Sequence, residues 1–200
     1  MPRTPKQDRS KETHRKLVEA TVHTLATRGV PATTVSLVAE KAGVSRGAAQ
    51  HHFQTRETLI EQALGQISAE RTEQFREAIA ALDVGENGAP VEEVIRLVID
   101  FFTGELFHAA THVWSAAASD PNLAKIILPA ESRLNREIFE LTAEALKADL
   151  SDKPTRRFLT MLFDVARGLG LSSVLVDATE QKERAVEALS LILGQIKRLD

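Results

Sequence analysis

The sequence contains no cysteine and no tyrosine, and only 10 of its 200 residues are glycine and 7 are proline. Without cysteine the chain can form no disulfide, thiol nucleophile or thiolate metal site, and this usage fits a reducing compartment. Long stretches are rich in Ala, Leu, Glu, Arg and Lys, which are strong helix formers, and apolar residues recur at helical spacing. The sequence therefore predicts an all-α protein of about nine helices.

Several function classes also lack their sequence motifs. There is no G-x-S-x-G elbow, no glycine-rich phosphate loop and no H-E-x-x-H pair, which argues against an enzyme and predicts no cofactor. The N-terminus lacks the apolar segment of a secretory signal, and no apolar run is long enough to span a bilayer. We therefore expect a cytoplasmic protein without a membrane partner. A helical carrier or an enzyme on a helical bundle remains an alternative.

Charge is divided unevenly along the chain. Residues 1–57 hold ten cations and five anions, whereas residues 58–200 hold 15 cations and 23 anions. Such asymmetry suggests that the N-terminal part faces a polyanion, while the acidic remainder keeps the protein soluble. A basic, solvated tail would produce part of the same pattern.

Capping residues and helix breakers divide the chain into segments. Residues 1–9 are expected to be a flexible basic arm. The first four predicted helices are 10–28, capped by Ser10 and ended by Gly29; a short helix capped by Thr33 or Thr34 and ended by Gly43; 46–52, capped by Ser45; and 55–82, capped by Thr55. Five more are predicted around 91–102, 107–114, 121–141, 154–176 and 180–199.

Small residues stand where the second and third of these helices would cross. Ala39 permits close approach, Gly43 permits a positive φ in the turn, and Ala49 packs back on the preceding helix. In a helix-turn-helix unit the second of two such helices presents its polar face to the DNA major groove. The alternative is a solvated corner of a helical bundle.

The segment TTVSLVAEKAGVSRGAAQHHFQTRETLIEQAL, residues 33–64, resembles the helix-turn-helix signature of the tetracycline-repressor (TetR) family. This resemblance implies a DNA-binding domain at residues 10–54, built from three helices. It also implies that the fourth helix joins this domain to a larger ligand-binding and dimerisation domain at residues 55–200. Gln50 departs from the family, which more often has an aromatic residue there.

The resemblance implies a set of DNA contacts. Arg46 can pair with guanine, Gln50 can bond adenine or a phosphate, and Arg56 suits a phosphate at a helix N-terminus. The complete set of expected DNA-binding residues is Thr33, Thr34, Ser45, Arg46, Gly47, Ala48, Gln50, His51, His52 and Arg56.

Large soft side chains in the C-terminal part are candidates for an effector pocket, since the family encloses one between its central helices. A plain apolar core is the alternative for each of them. The candidate lining residues are Phe101, Phe102, Phe107, His108, His112, Trp114, Met161, Phe163 and Arg167. An acyl thioester or an aromatic acid is the expected effector class.

Two polar features of this region leave alternatives open. His108 and His112 are four residues apart, a spacing that suits a metal, but no third ligand is evident and we expect no metal site. Arg167 lies in an apolar run, where it either pairs with Asp164 or binds an anionic group of the effector.

The last predicted helix carries an apolar stripe, and the helix before it is rich in small residues at Gly168, Gly170, Ser172 and Ser173. Both features fit the four-helix dimer interface of the family, and an intramolecular core is the alternative. We therefore expect a homodimeric repressor that binds an inverted-repeat operator in double-stranded DNA and is released by a small molecule. A transcriptional activator of the same fold is the alternative.

Overall fold

A computed structural model describes the backbone of residues 5–199 and the side chains of all of these except residues 5–8, 105, 108 and 109. The described chain forms nine α-helices and no strand, which confirms the all-α prediction. The helices are α1 (Pro5–Ala32), α2 (Val35–Lys41), α3 (Arg46–His52), α4 (Arg56–Ala80), α5 (Val91–Thr103), α6 (Glu105–Ser119), α7 (Pro121–Ala145), α8 (Lys153–Ser173) and α9 (Thr179–Leu193).

The described residues divide into two compact units. One consists of residues up to 70 together with 109–132, and the other consists of 71–108 together with the chain from 133 onward. Helix α4 contributes residues to both units. The expected DNA-contacting residues between Thr33 and Arg56 all lie in the first unit.

An apolar cluster forms the core of the first unit. Leu17, Val18 and Leu25 of α1 are buried in it, as the helical spacing of these residues predicts. It also takes in the buried faces of the short helices and the start of α4, including Val38, Ala39, Ala49, Phe53, Leu59 and Ile60. Burial of Ala39 and Ala49 confirms the predicted small-residue packing of α2 and α3.

Helix α1 begins earlier than predicted. It includes residues 5–9 of the expected flexible arm, so the predicted start at Ser10 is wrong, and residues 1–4 lie outside the described part. Arg15 forms ion pairs at 2.7 Å with Glu12 and at 2.6 Å with Glu19. Ion pairs three and four residues apart stabilise a helix, here near its N-terminal end. The break at Gly29 is confirmed, since its φ of 70° interrupts the helix.

In the second unit α5 packs against α8 and α9. Gly170 of α8 permits this approach, because an added Cβ would lie 2.0 Å from the carbonyl oxygen of Phe102. Gly170 therefore lies in a helix contact within one chain, whereas the sequence pattern favours a place in the expected dimer interface.

The last helix is shorter than predicted, ending at Leu193 instead of residue 199. Gly194 follows it, and the chain then pairs with an earlier loop: the Asp149 amide donates to the Lys197 carbonyl at 2.9 Å. Several members of the predicted interface stripe are buried within this unit, namely Val186, Leu189, Leu193 and Ile196.

Candidate functional site

Two short capped helices and a glycine turn form the helix-turn-helix. The Thr34 hydroxyl accepts a hydrogen bond from the Leu37 amide at 3.2 Å and caps α2. Gly43 has a φ of 66°, a backbone conformation that would be strained for a residue with a Cβ atom. The Ser45 hydroxyl then accepts from the Ala48 amide at 3.2 Å and fixes the start of α3.

Helix α3 has one buried position and a polar face toward solvent. Ala49 is fully buried against α2, whereas Arg46, Gly47, Gln50 and His51 are exposed. Arg46 makes no ion pair with any residue that the structure describes. Because Gly47 and the half-buried Ala48 add little bulk, this face can approach a groove wall closely.

Thr33 does not take the position that the sequence suggested. Its side chain is 0% exposed, and its hydroxyl donates to the Gly29 carbonyl at 2.9 Å. The residue therefore closes the turn between α1 and α2. Thr34, one residue later, is exposed and is the threonine of this pair that a phosphate could reach.

Arg56 begins α4 and is half-buried. The preceding Thr55 caps the helix, its hydroxyl accepting from the Thr58 amide at 3.2 Å. The Nε of Arg56 is buried and has no hydrogen-bond partner among the described residues. A buried donor without a partner is costly, and a phosphate oxygen is one group that would satisfy it.

Three histidines and a phenylalanine meet at the end of α3. The ring of His52 lies 5.9 Å from that of His14 and 5.6 Å from that of His51, and His14 also contacts Phe53 at 5.0 Å. Burial, and then the charges of His14 and His51, hold the pKa of His52 below its usual value. His14 was missed from sequence because it lies on α1, far along the chain from α3.

The lowered pKa of His52 has a consequence for stability. The unfolded chain takes up this proton near pH 6.5 while the folded chain still resists it, so stability should fall as the pH drops from 7.5 toward 5.5. Thermal melts across this range should show a smaller loss for His52→Gln than for the unchanged protein. His23→Gln, an exposed substitution on α1, is the control. An equal loss in the His52→Gln variant would contradict this prediction.

A cavity of about 340 Å³ lies in the second unit, lined by parts of α4, α5 and the start of α6. Phe75, Phe101 and Phe107 supply aromatic walls. Arg71 is only 4% exposed; it donates to the Phe101 carbonyl at 2.9 Å, and its guanidinium carbon lies 4.0 Å from the Phe101 ring centre. Arg71 was missed from sequence, because its contact is with a residue 30 positions away.

The candidate pocket residues divide between this cavity, a core and the other unit. Phe101 and Phe107 line the cavity. Phe102 is buried, with its ring 5.6 Å from Phe107 and 5.8 Å from Phe163, so the inner members form an aromatic core. The other described members are the half-buried Met161 and Arg167 of the second unit, and the exposed His112 and half-buried Trp114 of the first.

The sequence left alternatives open for Arg167 and for the pair His108 and His112. Arg167 pairs with Asp164 at 3.6 Å, and the carboxylate of this pair is mostly exposed. The side chain of His108 lies outside the described residues. Among the side chains that are described, no group of three acidic or histidine residues is placed to hold a metal. Within the same residues, no helix has the length and hydropathy to cross a bilayer.

The arrangement of the first unit is that of a helix-turn-helix DNA-binding protein. A model of "Bacterial regulatory proteins, tetR family" matches residues 17–63. The transcriptional regulator CymR of Pseudomonas putida is 29% identical over 91% of this chain and 89% of its own. The regulator BetI of Cronobacter sakazakii is 26% identical over 80% and 79%. A transcriptional regulator of Streptomyces coelicolor has the same fold, with a TM-score of 0.69, 19% identity and coverage of 91% of this chain and 98% of that one.

Residues 17–63 thus match the tetR family of bacterial regulatory proteins, and over most of its length the chain is similar to helix-turn-helix transcriptional regulators. These relatives are transcriptional regulators of the helix-turn-helix type. The resemblance in residues 33–64 is thereby confirmed at the level of the family.

Proposed function

We propose that this protein is a repressor that binds an inverted-repeat operator as a homodimer and is released by a small aromatic acid. The observation that carries the proposal is the exposed face of α3, whose Arg46 points to solvent while Ala49 anchors the helix to α2. An α-helix held in this way fits the major groove, where an arginine can read guanine.

Phosphate contacts would position the helix on DNA. Thr34 and Ser45 are exposed near the starts of α2 and α3, and the unsatisfied Nε of Arg56 lies at the start of α4. Contacts of this kind fix orientation and supply most of the salt-dependent affinity. His51 and the half-buried His52 lie at the end of α3, where a ring N–H group could donate a hydrogen bond to a phosphate.

Exposed apolar side chains support dimer formation. Around the end of α8, Leu175 is 85% exposed and Leu171 is 54% exposed, and on α9 Leu191 is 71% exposed. Large apolar side chains exposed on neighbouring helices are candidates for an interaction site. A second copy of the chain is the proposed partner, which gives two recognition helices for the two half-sites.

The cavity in the second unit is the proposed effector site. Its volume lies near the lower end of the range for ligand pockets, ~300–1,000 Å³, which suits a small aromatic acid and not a bulky acyl thioester. Arg71 and Phe75 of α4 line it, and the same helix begins at Arg56. Because α4 is one continuous helix, a shift at Arg71 would move Arg56 relative to the operator.

Selection of bound duplexes from a random pool, at low and moderate salt and with the mass in solution measured, tests this proposal. We expect a dimer to enrich an inverted repeat. Small aromatic acids should then release the selected duplex, whereas their neutral amides should not. Binding without enrichment that disappears at moderate salt would mean that only non-specific basic contacts were at work, and would overturn the proposal.

A further inference from the structure

A second, larger groove lies in the unit that holds the aromatic cavity, and it shares no lining residue with that cavity. Its volume is about 1110 Å³. The last turns of α4, the last turns of α7 and the loop after α7 form its walls. Apolar surface predominates in these walls and comes from Ile79, Val84, Leu141, Leu150 and Leu199.

Two carboxylates on one wall of this groove are not neutralised. Glu140 and Glu144 lie four residues apart on α7, are exposed, and form no ion pair with any described residue. Asp149, also in the wall, differs from them because Lys197 donates to its carboxylate at 2.7 Å. The groove therefore presents two free negative charges beside a largely apolar surface.

Two cations, Arg76 and Lys147, also line the groove. Arg76 is ion-paired with Glu73. The ammonium group of Lys147 donates to the Glu86 carbonyl at 2.7 Å. No ion pair joins either group to Glu140 or Glu144. The carbonyl leaves the charge of Lys147 in place, so the two unpaired carboxylates exceed by one the single lining cation that has no carboxylate partner.

Two helix ends add negative potential. α4 ends at Ala80 and α7 ends at Ala145, and both residues line the groove. The C-terminal end of a helix carries a partial negative charge from its last carbonyl groups, which favours a nearby cation. The potential of both helix ends thus has the same sign as that of the two free carboxylates.

We propose that this groove binds an organic cation with a large apolar body, with Glu140 and Glu144 facing the positive charge and the Ile79 and Leu150 side of the groove covering the apolar surface. Such a ligand matches the groove in both charge and polarity, whereas an anion or a fully neutral ligand matches only one of these. This site is separate from the proposed effector cavity, and its existence does not depend on operator binding.

Titration calorimetry of the full-length protein with tetraphenylphosphonium tests the inference. Tetraphenylborate has nearly the same shape and the opposite charge, so it separates charge selection from simple apolar binding. We expect saturable binding of the cation, one per chain, and at least tenfold weaker binding of the anion. Equal affinities for the two ions, or no binding of the cation, would overturn the proposal.

Variants then locate the site. The double substitution Glu140→Gln with Glu144→Gln should weaken binding of the cation about five- to tenfold, since each exposed charge pair contributes modestly. Glu57→Gln with Glu61→Gln, the matched control, removes two exposed carboxylates at the same spacing on α4, outside the groove, and should leave the affinity unchanged. Equal affinity in both double variants would overturn the assignment to this groove.

Ala80→Trp gives an independent check, because this exposed residue lines the groove and a large ring there would occupy it. We expect loss of cation binding with an unchanged thermal melt. Operator selection by the unchanged protein is a separate measurement, so failure of this inference can be told apart from failure of the proposed repressor function.

Discussion

Replacing Arg46 by alanine is expected to reduce sharply the discrimination between the operator and random DNA. Arg46 is exposed at the first position of α3, where its guanidinium can bond a guanine base edge. A bidentate contact of this type contributes ~1–3 kcal/mol of discrimination. With one such contact from each chain of a dimer, affinity for the selected operator should fall at least about 30-fold. Binding to random duplexes should change little, as measured by fluorescence anisotropy.

Arg56→Ala is the matched comparison, since it also removes one arginine from the proposed interface. Its proposed contact is with a phosphate, which carries no sequence information. Both operator and random DNA should therefore bind more weakly by the same factor, and the salt dependence should decrease by about one unit for each lost contact. If the two variants instead lose the same affinity on both kinds of DNA, the separate roles proposed for Arg46 and Arg56 are wrong.

The helix-turn-helix could be predicted because its determinants are local. Thr34 and Ser45 cap helices through amides three residues away, and Gly43 supplies a positive φ in the turn itself. The same locality explains why the break at Gly29 is found where the sequence places it. Each of these features depends on short-range hydrogen bonding or backbone sterics, which a single sequence displays directly.

The parts that sequence could not predict depend on contacts between distant residues. Burial of Thr33 follows from the packing around the turn, and nothing in its own position distinguishes it from Thr34. The cavity depends on Arg71 reaching the Phe101 carbonyl. Helix α9 ends early because Lys197 pairs with Asp149 and the chain leaves the helix to do so. These two residues are 48 positions apart in the sequence. Helical periodicity contains no information on any of these.

The aromatic residues show the same division most clearly. Sequence reasoning grouped the large soft side chains of the C-terminal part as one candidate lining, because the sequence does not distinguish one phenylalanine from another. The structure separates them by a difference in burial: Phe101 faces the cavity, while Phe102 and Phe163 contact each other's rings inside the core. Because an aromatic ring serves a core or a cavity equally well, only the packing of α5 on α8 decides which it does.

Gly170→Ala is expected to produce the largest loss of stability of any single methyl addition considered for this protein. The added Cβ would lie 2.0 Å from the Phe102 carbonyl oxygen and 2.5 Å from the Phe107 ring. The first of these is backbone, which can move only if α8 separates from α5. Overpacking of this kind costs ~1–3 kcal/mol or more, and for a chain of this length we expect the Tm to fall by about 4–10 °C.

Gly168→Ala is the control, because it adds the same methyl group to the same helix two residues earlier. Apart from the adjacent residues and the backbone of the same helix, no atom lies within 4 Å of the Cβ position there, and the site is exposed. Alanine is the better helix former by up to ~1 kcal/mol, so this variant should melt at or above the temperature of the unchanged protein. Opposite signs for two glycine-to-alanine changes two residues apart, on opposite sides of the same helix, would assign the loss to the contact of α8 with α5. If Gly170→Ala has the same Tm as Gly168→Ala, α5 and α8 do not approach as closely as the structure places them. The position of the Phe107 ring beside the aromatic cavity would then also be in error.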